Sequence, residues 1–287
     1  MIQDIAPHRL WNQYIPGVQP DGSSLVFCFS GSEMLTALIK GKRTFPTVSM
    51  LPEEKSEAYT YLFRLDDRNC FLLNETSAFR KLLEAKEAVL PEEITLLPFS
   101  KLRSENTLMK EELFAAHTAK HLSDWYRDTK FCGRCGMPNR HSATERAMVC
   151  TSCKNRIYPR IMPAVIVGVK NGEKLLLTRY PGPGRYNALI AGFNEIGETL
   201  EETVAREVME EAGIRVKNIR YYKSQPWGWP NDILTGFYCD VDGDDRVSLD
   251  DNELAKAVWV SREEIQLQSD DFTLTNEMMT QFKLGNQ

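Results

Sequence analysis

The sequence predicts an α+β protein in which a small amino-terminal α+β unit and a four-cysteine metal ribbon precede a larger unit of strands and helices. Three observations lead there. The chain has 287 residues, more than one typical domain holds, and its 42% apolar and 26% charged residues are those of a folded globular protein. Strand-like runs fill the first hundred residues and recur after residue 161, with helical stretches near 109–128 and 199–212. Two Cys-x2-Cys pairs interrupt the chain near its middle. The expected boundaries are 1–127 for the amino-terminal domain with a linking helix, 128–160 for the ribbon and 161–287 for the remainder.

Charge and composition exclude several classes. A net charge of −5 creates no global basic field that would advertise nucleic acid. Met1–Tyr14 lacks the basic-then-apolar layout of a signal peptide. The longest apolar run, Met162–Val169, falls far short of the roughly 20 residues that span a bilayer. We therefore expect neither export nor a membrane partner, and a cytoplasmic protein. Seven cysteines, an odd number, fit a reducing compartment and not a disulfide framework.

Within the first unit, Ser24–Phe29 and Tyr59–Phe63 read as strands, with turns at Pro20-Asp21-Gly22 and Asp66-Asp67. Leu113, Ala116, Leu122 and Trp125 recur at near-helical spacing in the stretch Met109–Asp128. His117 and His121 lie one turn apart there; with no acid or thiol adjacent they read as an ordinary polar helix face and not a metal pair. Later, Pro163–Lys170 and Lys174–Thr178 form a hairpin at Asn171-Gly172, and a Gly/Pro loop at Pro181–Gly184 follows. Further strands are expected at Ile214–Tyr222, Ile233–Val241 and Ala255–Val260.

Cys132-x2-Cys135 and Cys150-x2-Cys153, with fourteen residues between the pairs, have the spacing of a four-thiolate zinc ribbon. Four thiolates leave no open coordination position, so this Zn2+ is expected to hold structure and not to activate water. Lys130, Arg134, Arg140, Arg146, Lys154, Arg156 and Arg160 surround the pairs, a local excess that suits phosphates and a solvated surface equally well. Cys28, Cys70 and Cys239 are expected simply to pack.

From Gly192 to Ile214 the chain reads Gly-x5-Glu-x7-Arg-Glu-Val-x-Glu-Glu-x-Gly-Ile, with Glu198 the first fixed acid. On a helix Glu207 precedes Glu210 and Glu211 by three and four residues, so the three carboxylates can face one direction. Six acids and one arginine lie from Glu198 to Glu211. Such repulsion costs roughly 0.2–0.5 kcal/mol per pair unless a hard divalent cation relieves it, which points to Mg2+ or Mn2+. Gly192 and Gly213 bracket the helix where tight turns are expected.

This stretch resembles the complete signature of the Nudix hydrolases. The resemblance implies an α/β/α sandwich with a mixed sheet between helices, and metal-dependent cleavage of a nucleoside diphosphate linkage. It implies Glu207 and Glu211 as ligands of the activating metal, with Glu210 as ligand or base and the Ala191 carbonyl as a further ligand. Arg206 would orient a carboxylate, either Glu202 or Glu207. Beyond it, Ser224-Gln225-Pro226-Trp227-Gly228-Trp229-Pro230 is similar to the Ser-Gln-Pro-Trp-Pro-Phe-Pro segment of NADH pyrophosphatases, with Gly228 for proline, Trp229 for phenylalanine and Asp232 for a serine. A glycine there predicts a more flexible loop.

The likeness runs from about Leu122 to Val260, whereas the first hundred residues match that subfamily only in position. It implies that Gln225 to Asp232, including Asn231, line the substrate site, and that Tyr158 and Phe193 stack on the nicotinamide. It also implies that Glu145 contacts substrate across a homodimer and that Glu253 completes the metal or base set. The substrate implied is NADH or NAD, cleaved to AMP and nicotinamide mononucleotide, with NAD-capped RNA a further partner. ADP-ribose hydrolysis, or a non-enzymatic zinc-ribbon RNA-binding module with an inert motif, are the rival readings.

Overall fold

The computed structural model describes residues 1–52, 54–74, 93–104, 108–179, 188–248, 256–268 and 271–287. The chain divides into two compact units, one of residues 3–160 with 228–230, the other of residues 1–2, 161–227 and 231–287.

The first unit contains two four-stranded sheets and the ribbon. Strands β1 (Leu10–Trp11), β2 (Leu25–Phe27), β6 (Tyr59–Leu65) and β7 (Arg68–Leu73) are ordered β1-β6-β7-β2. A second sheet joins β3 (Phe29–Ser30), β4 (Glu33–Ile39) and β5 (Lys42–Thr44), with β8 (Ile94–Pro98) on the other edge of β4. The run expected as one strand at Ser24–Phe29 therefore changes sheet at Cys28, which is buried and whose carbonyl accepts from Leu35 N at 2.9 Å. Helix α1 (Phe99–Ser104) leads to α2 (Lys110–Asp128), whose Leu113, Ala116, Leu122 and Trp125 are all buried. Apolar burial at helical spacing, together with the many Ala, Leu, Glu and Lys of the segment, explains where α2 forms. Ribbon strands β9 (Asn139–His141), β10 (Met148–Cys150) and β11 (Arg156–Ile157) pair in the order β11-β10-β9.

The second unit is a mixed sheet between helices. Its strands are β12 (Met162–Asn171), β13 (Lys174–Arg179), β14 (Ile190–Phe193), β15 (Val216–Trp227), β16 (Asp232–Val241) and β17 (Lys256–Ser261), ordered β15-β16-β12-β13-β17 with β14 on β12. Strand β12 runs parallel to β16 and antiparallel to β13 and β14. The hairpin at Asn171-Gly172 is present, with Gly172 at φ +58°. Side-chain alternation sorts β12 between two cores. Val165, Val167 and Val169 pack with Val204, Val208 and Ala212 of α3 (Leu200–Ala212). Ile166 packs with Leu274, Met278 and Phe282 of α4 (Leu274–Lys283). A β-carbon on Gly168 would lie 2.7 Å from the Tyr238 ring, so glycine admits that ring to the second core. Strand β15 reaches further than expected, taking Gln225, Pro226 and Trp227 into register with Leu234, Ile233 and Asp232. No helix among the described residues is long and apolar enough to cross a membrane.

Candidate active site

Helix α3 places its acids by period. Val204, Val208 and Ala212 recur every four residues toward the sheet, which leaves Thr203, Glu207 and Glu211 on the adjoining stripe, all buried. Thr199 caps the helix, its Oγ1 accepting from Glu202 N at 3.2 Å while Glu202 Oε2 accepts from Thr199 N at 2.7 Å. Gly213 ends it at φ +69°.

A cleft of about 450 Å³ opens here, lined by Ala191, Gly192, Phe193, Glu195, Arg206, Glu207 and Glu211. Glu210 does not line it; it stands on the exposed flank with its Oε2 accepting from Arg206 at 2.9 Å. Arg206 is the hub. Its Nε and Nη2 donate to Glu198 at 2.6 and 2.9 Å, its Nη1 to Glu207 at 2.8 Å, and Nη2 also to the Phe193 carbonyl at 2.9 Å. The guanidinium hydrogen bond pulls the Glu198 carboxyl down to about 2, assisted by Thr203 and the Glu195 N–H. The same bonds raise Arg206 further above its usual range.

Of the two carboxylates expected for Arg206, Glu207 is bound and Glu202 is not, because the capping box already holds the Glu202 carboxylate at Thr199. The Thr199-x-x-Glu202 pattern was the available signal, whereas nothing in the spacing marks Glu198, eight residues before Arg206, as the main partner. Gly192 is not a turn glycine; it lies inside β14, where a β-carbon would sit 1.9–2.2 Å from the Glu207 carboxylate atoms.

The donor set fits a hard divalent cation: carboxylates of Glu207 and Glu211 share a cleft with the backbone of Ala191. Among the described residues only the ribbon thiols close to within 4.8 Å of one another as a set. Glu253 and the Pro181–Gly184 loop lie outside the described residues.

The remaining residues singled out from the sequence are spread over both units. Phe193 is 51% exposed at the cleft. Tyr158, 55% exposed, and Glu145 belong to the first unit, where the Glu145 carboxylate pairs with Arg156 and accepts from the Tyr158 hydroxyl at 3.4 Å. Gln225 is fully buried, its amide bridging the Phe272 carbonyl at 2.7 Å and Leu274 N at 2.8 Å, so that side chain pins the start of α4. Pro226 and Trp227 continue β15. Asn231, at φ +63°, turns the chain into β16, and its carbonyl accepts from Met162 N at 3.0 Å. Asp232 is buried, and desolvation pushes its carboxyl up to about 6.

Gly228, Trp229 and Pro230 belong to the first unit. The expected looseness at Gly228 is corrected: a β-carbon there would lie 2.1 Å from the His117 carbonyl oxygen, so glycine permits a backbone-to-backbone approach. The helix face expected to be polar at His117 is likewise interior, with that imidazole buried edge-on to Phe99 at 4.9 Å. His121 Nε2 contacts the Arg160 carbonyl at 2.7 Å.

In the ribbon, Cys132, Cys135, Cys150 and Cys153 converge. Three Sγ–Sγ distances are 3.5–3.7 Å. Zn–S bonds of about 2.3 Å place tetrahedral thiolates ~3.8 Å apart, so the set fits zinc with little movement. Gly136 and Lys154, at φ +72° and +61°, close the two knuckles. Not every ribbon cation faces outward: Arg146 donates to the Leu62 carbonyl at 2.5 Å and lies over the Tyr14 ring at 5.4 Å, with burial lowering its pKa. Cys28, Cys70 and Cys239 are buried, and burial pushes Cys70 and Cys239 up to about 12.

Comparison with known proteins follows the same division. The NUDIX domain family model matches residues 160–281, and that of the NADH pyrophosphatase zinc ribbon domain matches residues 127–158. The NAD-capped RNA hydrolase NudC of Salmonella typhi is 45% identical over 147 residues, 51% of this chain and 57% of that protein. The NudC of Citrobacter koseri is 44% identical over the same shares. The matched stretch thus spans little more than half the length of these relatives. A solved NUDIX hydrolase from Nitrosomonas europaea is 25% identical with a TM-score of 0.47, covering 54% of this chain and 90% of that one. With a zinc ribbon and a box-bearing mixed sheet in sequence, residues 160–281 form a NUDIX domain, preceded at residues 127–158 by an NADH pyrophosphatase zinc ribbon domain.

Proposed function

We propose that the chain hydrolyses the diphosphate bond of NADH or NAD, giving AMP and nicotinamide mononucleotide, and that it removes NAD caps from RNA. The observation that carries this reading is the cleft in which buried Glu207 and Glu211 face the Ala191–Phe193 backbone under the Arg206 hub. The names of the NudC relatives, NAD-capped RNA hydrolases, support the substrate class.

Glu207 and Glu211, with the Ala191 carbonyl, Glu210 and Glu253, would hold Mg2+ or Mn2+. Such a cation screens the diphosphate charge and lowers the pKa of water for attack. Arg206 keeps Glu207 in place through Nη1 while its other edge is fixed by Glu198. Glu210 stands exposed beside them with its carboxylate on Arg206, as a further ligand or the base. Phe193 supplies an open aromatic face at the cleft for a base. In this reading Tyr158, Glu145 and residues Gln225 to Asp232 complete the substrate site, and Gln225 contributes by fixing the strand end. The working form is a cytoplasmic homodimer, organised as residues 1–127, 128–160 and 161–287.

The test is turnover of NADH, NAD, NAD-capped RNA and ADP-ribose side by side, with Mg2+ or Mn2+ and products separated by chromatography. AMP and nicotinamide mononucleotide from NADH support the proposal. A preference for ADP-ribose, or inertness toward all four with retained RNA binding, overturns it.

A further inference from the structure

The ribbon carries a charge pattern that the proposed chemistry does not use. Residues 129–160 hold seven Lys and Arg and a single acid, Glu145, although the whole chain carries a net −5. Zinc with its four thiolates subtracts two charges and still leaves the segment cationic. Glu145 is committed to Arg156, and Arg146 is turned inward to the Leu62 carbonyl. Lys130, Arg134, Arg140, Lys154 and Arg160 stay exposed, with no carboxylate partner among the described residues.

Strand register shows which of these groups share a face. Across the ribbon sheet Arg140 of β9 pairs with Val149 of β10, and Val149 with Arg156 of β11, so the two arginines flank one valine. The adjoining row of His141, Met148 and Ile157 points the other way: Met148 is buried, and the His141 ring lies 5.0 Å from Tyr126 of α2. Phe131 extends the outward face by one chain width. It bridges Pro138, two residues before Arg140 and so on the same side of β9. Its ring is 63% exposed, and no other ring or cation packs on it among the described residues. The backbone beneath is fixed, with Cys132 N–H donating to the Met137 carbonyl at 2.8 Å and Asn139 N–H to the Lys130 carbonyl at 2.9 Å. An open aromatic ring and cations on one sheet face is the composition that holds a single strand of nucleic acid, since phosphates meet the guanidinium groups while a base stacks on the ring. A duplex keeps its base faces to itself.

We infer that the outward face of the ribbon is a binding site for single-stranded RNA, with Phe131 as the stacking ring and Arg140 as a phosphate contact. The site lies wholly within the first unit and involves none of the residues of the carboxylate cleft. Strand binding is read from the ribbon alone, whereas RNA in place of DNA rests on the proposed removal of NAD caps.

The experiment titrates the full-length, zinc-loaded protein into a labelled, uncapped strand of about twelve nucleotides, as RNA, as DNA and as duplex RNA. Fluorescence anisotropy without added Mg2+ or Mn2+ reads binding with no turnover. We expect single-stranded RNA to bind most tightly. Phe131→Ala should weaken that binding roughly five- to a hundredfold, the worth of one stacked base, with its salt dependence unchanged. Phe131→Trp should restore it. Arg140→Gln should weaken binding and reduce the slope of log affinity against log salt by about 0.7, as for one phosphate contact fewer. Circular dichroism and zinc content establish that each variant is folded, and kcat/KM for NADH should stay within twofold of the parent. Failure of the parent to bind the RNA, unchanged affinity in both Phe131→Ala and Arg140→Gln, or equal binding of the duplex overturns the inference and leaves the proposed function standing. Tighter binding of the DNA strand overturns the choice of RNA. A parent that binds RNA through Phe131 but does not cleave NADH overturns the proposed function and supports the ribbon site.

Discussion

The Glu207 carboxylate lies where a β-carbon on Gly192 would be, with its carboxyl carbon 1.9 Å from that point. Strand and helix therefore approach only because residue 192 has no side chain, so the position of a buried acid depends on that glycine. Gly192→Ala should displace Glu207 without unfolding the unit, since the strand conformation at 192 is open to alanine. We expect turnover of NADH to fall on the order of a hundredfold, as for loss of a preorganised charge contact, with the far-ultraviolet spectrum and zinc content unchanged. Full activity in Gly192→Ala would show that the Glu207 position is immaterial.

Glu211, buried one turn beyond Glu207, gives a companion expectation. Glu211→Gln keeps shape and removes charge, so the fold should persist while kcat drops by roughly two or more orders of magnitude. Calorimetric titration with Mn2+ should show weaker binding in the variant. Normal affinity and normal turnover together would move the metal site elsewhere.

The Arg206 fork makes a pH-dependent expectation. Its hydrogen bonds, with those of Thr203 and the Glu195 N–H, hold the Glu198 carboxyl at about 2, below its ordinary 4.5. A depressed acid stabilises the fold above pH 4.5 and loses that contribution as pH falls toward 2. Arg206→Lys cannot serve Glu198 through two nitrogens while also reaching Glu207. Glu198 should then titrate nearer its ordinary value, and the acid-unfolding midpoint followed by circular dichroism should rise. An unchanged midpoint would remove Glu198 from the stabilising set.

What could be read from the chain, and what could not, separates by range of interaction. The convergence of the four cysteines and the shared stripe of Glu207 and Glu211 were legible because each depends on spacing along one short segment, whereas Glu210 stands on the exposed flank. The helix at 200–212 was legible for the same reason, with alternating apolar and acidic stripes of fixed period. Three features needed tertiary neighbours. Gly192 looks like a turn glycine and Gly228 like a source of looseness, but each admits an atom from a distant segment, Glu207 in one case and His117 in the other. Arg146 reads as surface charge beside the cysteines until the Leu62 carbonyl, 84 residues earlier, is seen to receive it. Gln225 reads as a substrate contact within its motif, whereas the amide is committed to Phe272 and Leu274. The switch between sheets at Cys28 is equally invisible, because both halves of that run are apolar and extended.

The ribbon should behave as a folding element. Cys132 and Cys150 are buried, with Cys135 and Cys153 exposed, so the metal ties an interior pair to a surface pair. We expect about one zinc per chain and a large loss of thermal stability on chelation, since structural zinc contributes folding free energy directly. Cys132→Ser should lower the melting temperature more than it lowers kcat at a temperature where the protein remains folded. A stable, fully folded protein without zinc would set the ribbon reading aside.

Asp232 gives the opposite pH dependence to Glu198. It opens β16 opposite Trp227, is 5% exposed, and its Oδ1 has no hydrogen-bond partner. Desolvation raises its carboxyl from 3.8 to about 6, so the folded state holds the proton more tightly than the unfolded chain. Below pH 4 both states are protonated and the site costs nothing. As pH rises from 4 to 6 the unfolded state releases its proton first, stability falls, and above 6 the deficit is complete. Asp232→Asn retains the shape and removes the charge. It should therefore be more stable than the parent at pH 7 by roughly 1–3 kcal/mol, and no different at pH 3.5. Urea unfolding at intervals from pH 3.5 to 8 would measure both limits. A parent whose stability is flat across pH 4–6, or an asparagine variant that gains nothing at pH 7, would mean that the carboxylate finds compensation in the folded chain and is ionised there at neutral pH.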